Sequence, residues 1–311
     1  MMSREEWLEE KRHYIGSSDV AAILGEDPHK PAIQVYASKV HGYTQDDKDA
    51  LIYGRYVEAA IAKMYRHKTK RQIFDYGATA LQRHAHYDFI ASTLDNVTKG
   101  SKEYPGIDDL DGTAPLEIKS SGGFVWRDDK WRKTSPHEWA ANPPTHNLIQ
   151  NQIQMACTGS LWGSLACLFS PAHELTWHDH KVNELFLKAV YPILEEFWDN
   201  VKKRRPPKID DMPRSLDIVK HMYPEDTGKT VILNKETSKL VGKWLKIKDS
   251  YSDLKKTKKI LEAKIRGVIK DATFGQLPDG KFVTLKTTHT RGYTKVVEPN
   301  SYRVLRYANN K

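Results

Sequence analysis

Cysteine is nearly absent: the 311 residues hold two, Cys157 and Cys167. Two thiols cannot build a disulfide framework, so a reducing compartment is expected and the cytoplasm is the simple location. No run approaches the roughly 18 consecutive apolar residues of a membrane-spanning helix, so no membrane role is expected. The N-terminus, MMSREEWLEEKRHY, is charged and amphipathic where a secretory leader would be apolar. There is no internal repeat and no low-complexity tract, which argues against a solenoid or a fibrous chain. Zinc chemistry is under-equipped as well. His84-x-His86 and His178-x-His180 each put two imidazoles on one strand face, but no third ligand or cysteine pair stands at fitting spacing.

Base, by contrast, is plentiful. Lysine and arginine number 49 against 40 acidic residues, a formal charge of +9, which favours an anionic partner. Clusters at Lys63–Arg71, Lys130–Lys133 and Lys202–Arg205 would serve either as a phosphate-tracking surface or as solvated faces. Trp126, Trp131 and Trp139 lie in a polar stretch, where exposed rings can stack on bases. Core packing is the competing role.

At this length the chain can bury one substantial core and carry a second small module. Amphipathic spacing predicts helices over 3–13, 31–41, 50–67, 144–158 and 181–204, and a further helix opens in 15-IGSSDVAAILG-25 with Ser17, Ser18 or Asp19 as caps. Strand-type runs occupy 72–83, 86–97, 115–121 and 161–170, the last apolar enough for a buried strand. Two domains are expected, 1–210 and 211–311, separated at a Pro- and Asp-rich linker. In the second, Leu240, Trp244, Ile247, Tyr251, Leu254, Lys258, Leu261, Ile265 and Val268 form a heptad seam with one polar interruption. That seam could fold back as a helical hairpin, pair between subunits or present a partner surface. A hairpin tail follows, turning at Pro278-Asp279-Gly280.

The chemistry concentrates at 115-PLEIKSS-121. By alternation Leu116 and Ile118 point one way, Glu117 and Lys119 the other. Alone, this reads as an ion pair on an edge strand. If the strand ending at Asp95 pairs with it, Asp95 and Glu117 converge on one hard cation, with the carbonyl of Ile118 as a further oxygen ligand. Mg²⁺, or Mn²⁺ in its place, suits such an all-oxygen site. Lys119 would then orient an attacking water or neutralise charge on a phosphodiester.

The ordered blocks IGSSDVAAILG, GRYVEAAIAKMY, IASTLDNV, LEIKSS and PPTHNLIQNQIQMACTG resemble the YqaJ/lambda-exonuclease group of phage recombination nucleases, in the PD-(D/E)xK superfamily. The resemblance spans roughly Arg12 to Trp198. It implies an α/β (α+β) fold with a restriction-endonuclease-like core, a central mixed sheet flanked by helices, beside the C-terminal helical and β-hairpin module. It assigns metal-proximal Glu58 to join Asp95 and Glu117, and a 5′-phosphate pocket of Lys11 or Arg12, Ser18, Thr93 and Gln150. Gln152 is a further DNA-binding candidate on the glutamine-rich helix. The family has glycine after the first aspartate where this chain has Asn96, and its connection to the core strand is shorter. The extra acids Asp108, Asp109 and Asp111 of that connection compete for the metal assignment.

The implied activity is a Mg²⁺-dependent 5′→3′ exonuclease on ends of double-stranded DNA, leaving a 3′ overhang for a single-strand annealing protein in phage recombination. Toroidal trimers occur in the group, so a homo-oligomer is expected. An endonuclease or single-strand nuclease of the same superfamily would use the same residues. A non-catalytic DNA-binding accessory protein is the remaining alternative.

Overall fold

The alternation at 115–121 becomes a nine-residue strand, and the elements around it decide which of its faces is buried. The structure, a computed structural model, describes residues 4–45, 49–75, 80–101, 103–104, 107, 112–127, 130–292 and 302–307. Asp108, Asp109 and Asp111 lie outside these.

In chain order the first elements are α1 (Arg4–Glu10), a 3-10 turn (Lys11–His13), β1 (Ile15–Gly16), α2 (Ser17–Ile23), α3 (Ala32–Val40) and α4 (Asp49–Thr69). Then come β2 (Gln72–Phe74), β3 (Leu81–Arg83), β4 (Ile90–Thr93), β5 (Asn96–Lys99), β6 (Thr113–Ser121), β7 (Phe124–Arg127) and β8 (Lys130–Lys133). They are followed by α5 (Pro136–Ala141), α6 (Thr145–Thr158), β9 (Trp162–Phe169), β10 (Glu174–Lys181), α7 (Glu184–Lys202) and α8 (Ser215–Met222).

Five strands form a mixed sheet in the order β10-β9-β6-β5-β2. Only the β6–β9 pairing in it is parallel. The sheet is flanked by helices, as the resemblance implies. β6 is its central strand, so its Glu and Lys are not an edge-strand pair. A smaller sheet, β1-β4-β3, stands beside it. The strand-type run 86–97 thus splits: β4 joins the small sheet and β5 the large one, with Leu94 and Asp95 at the corner between them. β5 pairs with β6 antiparallel, Asn96 opposite Leu116, and one step further along that register Asp95 falls opposite Glu117.

Each face of the sheet has its own core. Leu116, Ile118 and Ala166 pack with Ile61, Ala62 and Tyr65 of α4. The other face receives α6, whose Ile149 and Ile153 join Val20, Ile33, Val35, Leu194 and Ile218 in the larger core. Each fully buried aliphatic side chain contributes about 1.5–3 kcal/mol. Trp139 is buried beside Leu165 and Phe169, so of the three tryptophans in the polar stretch it is a core residue. α6 sits close on the sheet because β9 carries Gly163 beneath it. A Cβ there would lie 2.1 Å from Asn151 Oδ1 and 3.2 Å from Met155 Sδ.

Local rules set the helix ends. Ser135 and Glu138 form a reciprocal capping box on α5, with Pro136 at its first position. Asn183 caps α7 by accepting from Phe186 N at 3.0 Å, and Gly159 ends α6 at φ 71°. At α2 the N-cap is Gly16, one residue before the expected set. Asp19 there accepts from Gly16 N at 3.1 Å.

The chain divides into two compact units, Met1–Pro224 and Glu225–Lys311. α8 lies beyond residue 210 yet belongs to the first, because Ile218 and Met222 are buried in its core. In the second unit α9 (Lys235–Ile269) carries the heptad seam and buries none of its residues. Its β11 (Phe274–Gln276) and β12 (Phe282–Thr284) pair antiparallel, with Gly280 at φ +83° in the turn between them.

Candidate active site

Glu117 is 1% exposed, and an ionised carboxylate so placed is tolerable only when its lone pairs are satisfied. Three side chains do this. Lys119 Nζ, two residues along the same face, is ion-paired to Oε1. Gln150 Nε2 donates to Oε1 at 2.7 Å, and Gln154 Nε2 donates to Oε2 at 2.5 Å. Gln150 also accepts from Lys119 Nζ at 3.3 Å, and Gln154 Oε1 accepts from Asn151 Nδ2 at 2.7 Å. The two glutamines stand one turn apart, so α6 presents both to the sheet.

Asp95 sits across from Glu117 and is half-buried; its Oδ2 accepts from Ile118 N at 2.8 Å. Burial raises its pKa well above the ordinary carboxylate range, and the negative charges of Glu117 and Glu58 raise it further against the pull of Lys119. Glu58 is raised too, by burial and then by Glu117. Burial disfavours the charged form of Lys119, but Glu117, Asp95 and Glu58 prevail and raise its pKa. Glu58 and Asp95 line a cleft of about 450 Å³ with Lys63 and Arg66 on its wall.

Lys119 and Gln150 face a second cleft, of about 700 Å³, which also takes in Ser18, Lys30, Trp131 and Arg214. Lys11 and Arg12 line an adjoining cleft that shares Lys30 and Gln34 with it. Of the two, Arg12 is engaged in holding the fold: it donates to Glu9 at 3.0 and 3.2 Å and to Lys39 O at 3.3 Å. Lys11 stacks its ammonium over Trp7 at 4.1 Å. Burial pushes its pKa down to about 8 despite the attraction of Asp19.

Ser18 is exposed and does not cap α2. Thr93, at the end of β4, lines neither of these two clefts. Gln152 turns away from Glu117 and bridges Lys181 O (2.8 Å) and Asn183 N (2.7 Å); Gln154 occupies the place beside Gln150. Asn96, where the family has glycine, is extended and has no positive φ.

Helical spacing puts Gln154 on the face of Gln150 and turns Gln152 away, and the structure has them so. What escaped the sequence reading is Lys30, and the role of Asp19 beyond the start of α2. Asp19 is buried, and although burial alone would raise its pKa, Lys30, Lys39 and Lys11 hold it well below the usual range. Lys30 is ion-paired to Asp19 and thereby held at the mouth shared by both clefts. Of the basic clusters, Arg71 is interior: it is 1% exposed and forks onto Asp179 at 2.6 and 2.9 Å. Lys130–Lys133 is exposed throughout.

The donor set fits a hard divalent cation. It is all oxygen, and the neighbouring negative charges raise the proton affinity of Asp95 and Glu58, which a cation would relieve. An ionised carboxylate offers about four lone-pair sites, and the three donors on Glu117 leave one. Among the described residues no three His, Cys, Asp or Glu side chains form a ready metal cluster. His84 is occupied elsewhere: its Nδ1 faces His86 N and Tyr87 N, and its Nε2 bonds Tyr191. None of the described helices is long and apolar enough to cross a membrane.

A mixed sheet sets an acid and a lysine of its central strand under a glutamine-bearing helix. Residues 6–160 match the YqaJ-like viral recombinase domain. The chain is 24% identical over 282 residues to the uncharacterized protein YqaJ of Bacillus subtilis (strain 168), a match covering 88% of this chain and 81% of that one. Among solved structures it is similar to the alkaline exonuclease LHK-Exo from Laribacter hongkongensis, solved also in complex with dAMP. Both comparisons give 15% identity, 65% of this chain, 94% of that chain and a TM-score of 0.47.

If the glutamines hold Glu117, removing one leaves a buried charge short of a donor. Gln154→Leu should lower the unfolding free energy by about 1–3 kcal/mol. In a Glu117→Gln background the same change should cost at least about 0.5 kcal/mol less. Urea denaturation of the four proteins reads both numbers; equal costs in the two backgrounds would show that Gln154 and Glu117 do not act together.

Proposed function

We propose that this chain is a divalent-metal-dependent deoxyribonuclease that degrades one strand of linear duplex DNA from its 5′ end, leaving a 3′ overhang for a strand-annealing partner. The observation that carries the reading is the pairing of buried Glu117 with Lys119, directly across the sheet from Asp95, between two open clefts of a basic protein. A structural ion pair has no need of a second carboxylate kept near its proton. Nor does it need a lysine that opens onto a cleft of nucleotide size.

In this reading Asp95, Glu117 and the carbonyl of Ile118 hold Mg²⁺, for which Mn²⁺ can substitute, and Glu58 adds negative charge from the cleft wall. The bound cation supplies a nucleophilic water at neutral pH and charge for the phosphodiester oxygens. Lys119 keeps its proton because three carboxylates surround it, so it acts as a fixed cation and hydrogen-bond donor toward the attacked phosphate. Gln150 and Gln154 hold Glu117 in place without adding charge. Ser18, Gln150 and Lys30 line the cleft beside Lys119 and suit a terminal 5′-phosphate, with Lys11 at the adjoining mouth. Lys63 and Arg66 suit the backbone on the acidic side. Double-stranded ends are the substrate, and an annealing protein and a homo-oligomer, a trimer by family resemblance, are the proposed associations.

End-labelled linear duplex with Mg²⁺ tests this. The wild-type chain should release label from the 5′ end first, spare closed circles and slow when the 5′-phosphate is removed. Asp95→Asn, Glu117→Gln and Lys119→Met should each lower the rate by about a hundredfold or more. A Glu117→Gln protein that digests at the wild-type rate refutes the assignment; attack on closed circles would make the chain an endonuclease.

The pH dependence follows in sign. A proton on Asp95 competes with the cation, and burial beside Glu117 raises the pH at which that proton leaves. The rate should therefore rise with pH through a limb lying above the ordinary carboxylate pKa of about 4, and level off once Asp95 is ionised. A pH–rate profile already flat across that limb would contradict the coupling.

A further inference from the structure

Trp131 is not required by the chemistry above, yet it lines the same cleft as Lys119. It lies on β8, where its register partner is Trp126 of β7. Val125 of the same hairpin is 4% exposed and packs in the core with Trp139 and Leu165. That anchors one face of the hairpin and leaves Trp131 on the other, 50% exposed. An amphipathic ring exposed at the edge of a cleft is placed to contact what enters it.

Its surroundings say what that is. His29 lies 5.2 Å from the Trp131 ring at a tilt of 39°, and His146 stands edge-on to His29 at 6.1 Å. Burial, with His29 and Lys119 nearby, pushes the pKa of His146 down to about 4, so it is a neutral ring at neutral pH. The loop bearing His29 is fixed: Asp27 Oδ1 accepts from His29 N at 2.7 Å, and Arg214 Nη1 donates to His29 O at 2.6 Å. Lys130, Arg132 and Lys133 flank Trp131 and are exposed. Flat rings set among cations, at the edge of a cleft of about 700 Å³, are the ingredients of a single-strand platform: the rings take a base and the cations take the backbone.

We propose that Trp131 is the stacking platform for one unpaired nucleobase of the strand that runs through the cleft beside Lys119, with His29 as the second ring wall. The proposal rests on the nuclease reading and extends it: the platform accepts a base only after it has left its partner strand, and so ties cleavage to unpairing near the end. Stacking is indifferent to base identity, which suits degradation of any sequence.

The test uses the full chain in EDTA, where nothing is cut. A short 5′-phosphorylated single strand carries 2-aminopurine at one position, moved stepwise from the 5′ end. Wild-type protein should quench the probe at one position. Trp131→Ala should restore emission there and weaken binding about tenfold, whereas Trp131→Phe keeps most of the quenching and His29→Ala loses part of it. A second arm with 2-aminopurine deoxynucleoside monophosphate distinguishes a base in an intact strand from a released nucleotide, and quenching that depends on Trp131 in either arm supports the platform. Trp131→Ala protein that binds DNA with quenching unchanged in both arms overturns it and leaves the nuclease reading standing. A wild-type chain that binds no DNA overturns both.

Discussion

The structure depends on one buried charge. Glu117 is inside the protein, and an ion there is costly by several kcal/mol unless it is paired and fully hydrogen-bonded. Lys119 cannot satisfy it alone. The remaining donors come from α6, which must therefore lie across this strand with Gln150 and Gln154 facing down. Gly163 lets the helix come that close, and Asn151, buried between helix and sheet, turns the Gln154 amide so that its NH₂ meets the carboxylate. Apolar packing brings α6 and β9 together; the carboxylate fixes which residues of α6 face the strand.

From that point the charges sort themselves around Lys119. The raised carboxylates Asp95 and Glu58 share one cleft, while Ser18, Lys30, Gln150 and Trp131 line another. A second buried carboxylate organises the basic side. Asp19 holds Lys30 and Lys39 by ion pairs, so the lysine at the mouth of both clefts is fixed in position before any anion arrives. Preorganised cations of this kind add little to stability and a great deal to recognition.

Much of this was legible in the sequence. Period-two alternation assigned Leu116 and Ile118 to one face and Glu117 and Lys119 to the other, and antiparallel pairing after Asp95 was enough to bring the two carboxylates opposite each other. Of the helical stripe Tyr53, Val57, Ile61 and Met64, the last three pack on the sheet and Tyr53 is exposed. What stayed hidden was tertiary. Nothing in 26-EDPHKP-31 marks Lys30 as the partner of Asp19, because that contact depends on how the loop after α2 folds back. Helical spacing already parts Gln152 from Gln150 and Gln154, but only the face that α6 turns to the sheet shows which of the two sides meets Glu117. The reach of the first unit past residue 210 is similarly set by packing: Ile218 and Met222 fill a core built from residues far earlier in the chain.

The central claim is that Asp95 and Glu117 together form an oxygen site for a divalent cation, which competes with the proton that burial favours on Asp95. Calorimetric titration of the metal-free protein with Mn²⁺ near pH 8 measures this without DNA or turnover. The account predicts saturable binding that Asp95→Asn abolishes and that weakens on acidification. No binding to the wild-type chain, or equal binding to the variant, would contradict it.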